Sequence, residues 1–390
     1  VYKCWYSPFI VAHSAGALSL DERRKRGYEG HPEQEMGVCY ATSTDGIIWN
    51  KPDLGLVNYE DNSANNIISR GLHGTGIFKD RLESDPKRLY KSISQGMKAS
   101  FSADGLNWSA PTPISGVESA GDTHNNAFWA PTLEKYVGFT RTWSKTNRKI
   151  VGPETKTNHA WAREIARIES RDFENWSRAE VIISCDSWDQ QPYAMPVFFY
   201  AGIYFGLIAV HDQLSDRVWT ELAISEDTKA WERIEPGTPL IPCSEEPLDY
   251  DYGCVYACAS PVFLKNEIRL YYGGSDWLHF GWRKGCLALA TLRPDGFAGL
   301  RPQNPNFPAI VGSKVSASGE RLLKITADID PHGWIKVRIL SLSGLLLEQK
   351  HIERSSTDLA VFTARHDWSE GREIVFEFRK ATLYSFSLTE

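Results

Sequence analysis

At 390 residues the chain is long enough for one large domain and a smaller one, and 42% hydrophobic content with 14 Trp supplies a substantial core. A net charge of −6 excludes nucleic acid and anionic membrane as the main partner. Seven scattered Cys give no zinc spacing, so buried free thiols are expected; the sequence requires no metal and no cofactor, and leaves a structural cation in a central channel open.

In chain order, residues 1–7 read as a strand with no inner strand before it, and they carry no signal-peptide pattern. Residues 9–36 form a polar insertion with the run Asp21-Glu22-Arg23-Arg24-Lys25-Arg26. A solvated loop is the first reading of it, and a basic flap over an acidic or sulfated substrate the second. An apolar strand then runs into Ser43-Thr44-Asp45-Gly46-Ile47-Ile48-Trp49, the first copy of a signature. The others are Ser102-Ala103-Asp104-Gly105-Leu106-Asn107-Trp108, Ser170 to Trp176, Ser225 to Trp231, and Arg293-Pro294-Asp295-Gly296-Phe297 without its Trp. Successive Asp residues lie 59, 68, 55 and 68 positions apart, a period that points to repeated β units.

Within each copy Asp-Gly supplies a turn, and the Trp returns on an edge strand where its ring can cover a seam between sheets. A single four-stranded sheet cannot bury both faces, so several must pack radially. The uncharged run from Tyr193 to Val210 reads as a buried hairpin rather than a membrane span, because Pro196, Gly202 and Gly206 break it. After the proline-rich residues 301–308 come alternating strands at 321–325, 335–339 and 373–378. The expected fold is therefore all-β: a five-bladed β-propeller over residues 1–300, followed by a small β-sandwich over 301–390.

Inner strands of such a ring start near one mouth, so their first residues converge. Those starts supply His73, Asp122, His124, Asn125, Asp189, Gln191, Asp249 and Asp251, and His279 follows on a loop of the fifth blade. Carboxylates and imidazoles around an aromatic-lined funnel suit glycoside cleavage, which needs a proton donor and a nucleophile or base. Asp122, His124, Asp189 and Asp251 are the catalytic candidates, and His73, Asn125, Gln191, Asp249 and His279 the substrate-binding ones. Each also has a bland reading as a strand cap or turn former. Gly74-x-Gly76 is too short for a phosphate loop.

The repeated Ser-x-Asp-Gly-x-x-Trp, the Gly121-Asp122-Thr123-His124-Asn125 strand start and the trailing sandwich resemble glycoside hydrolase family 32-type proteins and the related families 43, 68 and 117. That resemblance implies an acidic triad on the inner strands, with Asp122 nearest the charge-stabilising Asp. The blade-one Asp has no counterpart here, and the fructosidase Asp-Pro-Asn, Arg-Asp-Pro and Glu-Cys motifs are absent. The expected activity is removal of terminal sugars from plant or algal oligo- or polysaccharides, with furanosides and anhydro-sugars as candidates. A secreted or periplasmic location goes with it. The alternatives are a glycoside phosphorylase holding phosphate with Arg141, Arg163 and Arg167, a six-bladed sialidase-like enzyme, a non-catalytic glycan-binding propeller, and a propeller for protein contacts.

Overall fold

The computed structural model describes residues 1–11, 19–25, 35–119, 121–145, 161–185, 189–281 and 283–390. The chain is all-β and divides into two compact units, Val1–Pro261 with Leu270–Ala290, and Val262–Arg269 with Thr291–Glu390.

In the first unit, strands follow one another as antiparallel sheets. The second sheet holds Gly76–Lys79, Tyr90–Ser94, Lys98–Ser102 and Thr112–Pro113 in that order. Asn126–Ala130, Lys135–Lys145, Trp161–Ser170 and Glu180–Ile183 make the third. The fourth runs from Gln190–Ala194 and Val197–Tyr200 through Ile203–Asp212 and Arg217–Ser225, so the uncharged run is a hairpin as expected. A parallel pairing of Val218 with Cys254 leads to the fifth, begun by Cys254–Ala257.

Contacts between sheets close a cycle. Trp5 Nε1 in the first sheet donates to Gly105 O in the second at 2.7 Å. The Tyr136 hydroxyl joins the third to Asp80 of the second at 2.6 Å, and Asn126 Nδ2 joins it to Met195 O of the fourth at 3.0 Å. The Tyr271 hydroxyl returns from the fifth to Gly46 O of the first at 2.9 Å. In the first sheet Tyr2–Tyr6 pairs only with Glu35–Ser43, and among the described residues no strand lies on its inner side.

Four signature copies share one hydrogen-bond pattern. The Ser hydroxyl accepts the backbone N–H three residues on, at 2.8 Å to 2.9 Å, and donates to the Asp. The Asp Oδ1 accepts the two following N–H groups, as at Ile47 and Ile48 at 2.8 Å and 2.9 Å. The position after Asp takes positive φ whether it is Gly46, Gly105, Phe173 or Thr228. The expected fifth copy is different. Arg293 replaces the Ser, Asp295 itself has φ 61, and its Oδ2 accepts from Ser385 at 2.6 Å. Without the hydroxyl the turn cannot close in the same way.

The insertion is not simply a solvated loop. Its ends, Phe9–Val11 and residues 35–36, pair as antiparallel strands, and between them the described residues include a helix, Leu20–Lys25, capped by reciprocal bonds between Ser19 and Glu22. Arg23 is buried and reaches Asp276 at 2.7 Å, on the loop that carries His279. Arg26 and the rest of the proposed flap lie outside the described residues.

In the second unit Glu320–Leu340 and Arg372–Thr389 pair along almost their whole lengths. The expected strands at 321–325 and 335–339 are thus one strand. Its register breaks between Ile329 and Trp334, where a Cβ on Gly333 would stand 2.1 Å from Lys380 O. Leu323 and Ile325 from one half, with Val337 and Ile339 from the other, bury the same core around Trp368 and Phe376. Both halves of the two long strands thus contribute to one core.

Candidate active site

Two glycines set the geometry where the second and third sheets meet. A Cβ on Gly76 would stand 1.8 Å from Asn125 O, and one on Gly74, at φ +58, only 2.6 Å from Asp122 O. Only bare backbone passes that close. Asn125 N donates to Gly74 O at 3.1 Å, and the seam brings His73 Nε2 to 3.9 Å from Asp122 Oδ1. The same oxygen accepts Gln95 Nε2 at 3.2 Å. Asp122 Oδ2 takes buried Arg141 Nη1 at 2.5 Å. Arg141 Nε and Nη2 both donate to Tyr193 O, at 3.0 Å and 2.8 Å, and its guanidinium lies 3.8 Å from the Tyr193 ring centre. The Asp122 side chain stays 30% exposed, so a buried cation holds a carboxylate that solvent can still reach.

His124 adopts φ 52, which sets its ring edge-on to Tyr256 at 4.9 Å and Tyr193 at 6.0 Å. Burial, and then the charge of Arg141, push its pKa down to about 3. Burial also lowers His73, with Asp122 pulling the other way. The Tyr193 hydroxyl meets His279 Nε2 at 3.1 Å, and His279 Nδ1 lies 3.8 Å from Asp216 Oδ1. Asp216 in turn holds His211 Nε2 at 3.0 Å. Arg163 Nη1 bridges His211 Nδ1 at 3.5 Å to Gln191 Oε1 at 3.0 Å. One connected set thus runs from the second sheet to the fifth.

Of the sequence candidates, His73, Asp122, His124 and His279 come together, with Gln191 joined through Arg163. Asn125 is adjacent but braces the framework. Its Nδ2 donates to Gly74 O and Gly121 O, both at 3.0 Å, and its Oδ1 accepts Thr140 Oγ1 at 2.5 Å. Three acids fall elsewhere. Asp251 is buried beneath the Tyr272 hydroxyl at 2.8 Å, and Asp249 Oδ2 accepts Ser244 Oγ at 2.6 Å in an exposed turn. Asp189 is exposed and joins the set through its backbone carbonyl, which takes Gln213 N at 2.6 Å. Residues 249–252 make a turn before the fifth inner strand, and this carries both carboxyls aside. Arg167, a phosphate candidate, braces a seam through Thr228 Oγ1 and Glu169, both at 2.7 Å.

Sequence reasoning missed Tyr193, His211, Asp216 and Tyr256. His211 lies at the end of the apolar strand Ile203–Asp212 and is wholly buried, with its two ring nitrogens held by Asp216 and Gln213. Asp216 carries φ 55 in the turn that follows.

No family model and no curated protein matches the chain. Among solved structures it is similar to one titled a glycoside hydrolase, at 14% identity over 66% of this chain and 78% of that one, TM-score 0.47. A family 43 arabinoxylan arabinofuranohydrolase from Bacillus subtilis is 11% identical over 91% and 88%, TM-score 0.41. A third, from work on family 130 mannoside phosphorylases and hydrolases acting on Candida mannan, is 14% identical over 68% and 78%, TM-score 0.42. At these identities no family follows.

The site's own chemistry is clear in outline. It offers one reachable carboxylate, neutral imidazoles on either side of it, and the faces of Tyr193 and Tyr256. Further along the inner strands lies a cavity of about 290 Å³ lined by Phe78, Phe128, Trp129, Phe198 and Phe199, with no charged group in its wall.

Proposed function

We propose that the chain is a glycan-active enzyme that cleaves a terminal sugar at the Asp122 cluster. The observation that carries this reading is the partly exposed Asp122 carboxylate, fixed by buried Arg141 and flanked by His73 and His124. In glycoside cleavage positive charge builds on the sugar ring and the leaving oxygen needs a proton. Asp122 faces that charge. His124, with its pKa near 3, is unprotonated at neutral pH and serves as an acceptor for sugar hydroxyls. With His124 unprotonated, His73, whose Nε2 stands 3.9 Å from Asp122 Oδ1, is the group left to carry the proton.

The furanosides and anhydro-sugars of plant and algal glycans belong first in the substrate panel. A screen of aryl glycosides and oligosaccharides with wild type and Asp122→Asn tests the proposal. We expect turnover to fall roughly 10²-fold or more, the worth of one positioned acid–base or charge-stabilising group. Equal rates in both proteins would overturn the assignment.

A second reading, glycan binding without catalysis, is favoured by one fact. The other carboxylate of the set, Asp216, is buried with Oδ1 on His211 and Oδ2 on Phe280 N. It is not placed as a second working acid. Calorimetric sugar binding with no product on long incubation would select this reading. Phosphorolysis has less support, because Arg141 directs its three nitrogens at Asp122 and Tyr193.

A further inference from the structure

We propose that His211, Asp216 and His279 form a site for a first-row transition-metal dication of the Zn²⁺ type. The inference stands apart from the glycan reading. His211 Nε2, Asp216 Oδ1 and His279 Nδ1 come from a strand end, a turn and a distant loop, yet one ligating atom from each lies within 4.8 Å of the others. The loop is clamped to the turn. His279 N donates to Asp216 O at 2.9 Å, and Phe280 N to Asp216 Oδ2 at 2.8 Å.

Each ligand also has its far atom held. Gln213 meets His211 Nδ1 at 2.8 Å, the Tyr193 hydroxyl meets His279 Nε2 at 3.1 Å, and Phe280 N fixes the second Asp216 oxygen. This is the outer shell that orients metal-binding imidazoles and carboxylates. The three inward atoms remain, and one of them is unsatisfied. His279 Nδ1 is buried without a hydrogen-bond partner, at 3.8 Å from Asp216 Oδ1. With its proton on Nε2, facing Tyr193, the lone pair of Nδ1 points at the place a cation would fill. Buried polar atoms are seldom left so.

Two imidazoles and one carboxylate suit zinc and its neighbours rather than Ca²⁺ or Mg²⁺, which prefer all-oxygen shells. Three protein ligands leave a fourth position open, as in catalytic rather than structural zinc sites. Without metal, His211 carries its proton on Nε2 and donates it to Asp216. On binding, the proton moves to Nδ1 and the Gln213 amide turns its oxygen toward it, so no net proton is released. The nearby Arg163 guanidinium works against a dication. The spacing 211, 216, 279 matches no sequence pattern, so the sequence does not mark these three residues as ligands.

The test uses the tag-free full chain, stripped with chelator, and titrated with Zn²⁺ by calorimetry and with Co²⁺ by absorption. We expect one equivalent of each and visible Co²⁺ ligand-field bands. Tyr193→Phe should weaken Zn²⁺ by about tenfold, as loss of an outer-shell partner does. His279→Gln, checked for folding by circular dichroism, should lose the equivalent. No binding by wild type would overturn the site. So would full stoichiometry in His279→Gln, or thiolate-to-Co²⁺ charge-transfer bands marking cysteine ligation. Should His279→Gln not fold, the wild-type Co²⁺ spectrum decides alone.

Discussion

Asp122 and Asp251 carry the same carboxyl and both precede an inner strand, but their surroundings separate them. Asp122 is shared among Arg141, Gln95 and solvent, whereas Asp251 is closed over by Tyr272. Asp251→Asn should therefore leave sugar turnover and binding at wild-type levels and lower stability by about 1 kcal/mol, the difference between a buried hydrogen bond to a charged acceptor and one to a neutral amide oxygen. Chemical denaturation and the glycoside assay, run side by side on both variants, check this. A loss of activity in Asp251→Asn with stability intact would return it to the site. The sequence shows which residues start inner strands, so Asp122, His73 and His124 were legible. It does not show which turn rotates a carboxyl away, nor that His211 and Asp216, with nothing to mark their pairing, are brought to His279 by a clamp between two loops.

At the scale of the element, the signature was legible because its chemistry is local. A Ser hydroxyl and an Asp carboxylate within three residues can satisfy the turn's own N–H groups, and the same distances recur in four copies. Asp295 shows the limit of that reading. Its Asp-Gly pair is present, but the missing Ser sends the carboxylate to Thr326 and Ser385 instead. The second copy gives a graded test. Ser102→Ala removes the acceptor for Asp104 N and Gly105 N and should cost about 1–2 kcal/mol. Gly105→Ala should cost more. The residue sits at φ +84, an added Cβ would stand 2.7 Å from Trp5 Cζ2, and its carbonyl accepts both Trp5 Nε1 and Trp108 Nε1. Denaturant midpoints that rank the two the other way would show that the seam with the first sheet tolerates movement.

For the molecule as a whole, the closed cycle of sheets gathers groups that titrate together. His73 and His124 keep lowered pKa values because the fold buries them beside Arg141. In the unfolded chain both return toward 6.5. As pH falls below 6.5, the unfolded state binds protons that the folded state refuses, so stability is lost from pH 6.5 downward, for His124 until about 3. Each such histidine contributes up to about 1.4 kcal/mol per pH unit within its window. The signature carboxylates act later and through a different cause. Backbone N–H donors hold Asp45 at about 2, so its contribution is present above 3.8 and disappears only as pH falls toward 2. Melting temperatures measured between pH 7.5 and 3.5 in chelator should therefore fall first in the histidine window. His124→Asn isolates the effect, since asparagine accepts the left-handed backbone at this position and removes the imidazole. It should flatten the decline from pH 6 down to the 3.5 limit of the measurement and leave only the loss that the carboxylates contribute. A decline as steep in His124→Asn as in wild type would mean that His124 takes up its proton in the folded state, and with it would go the argument for His73 as the proton carrier.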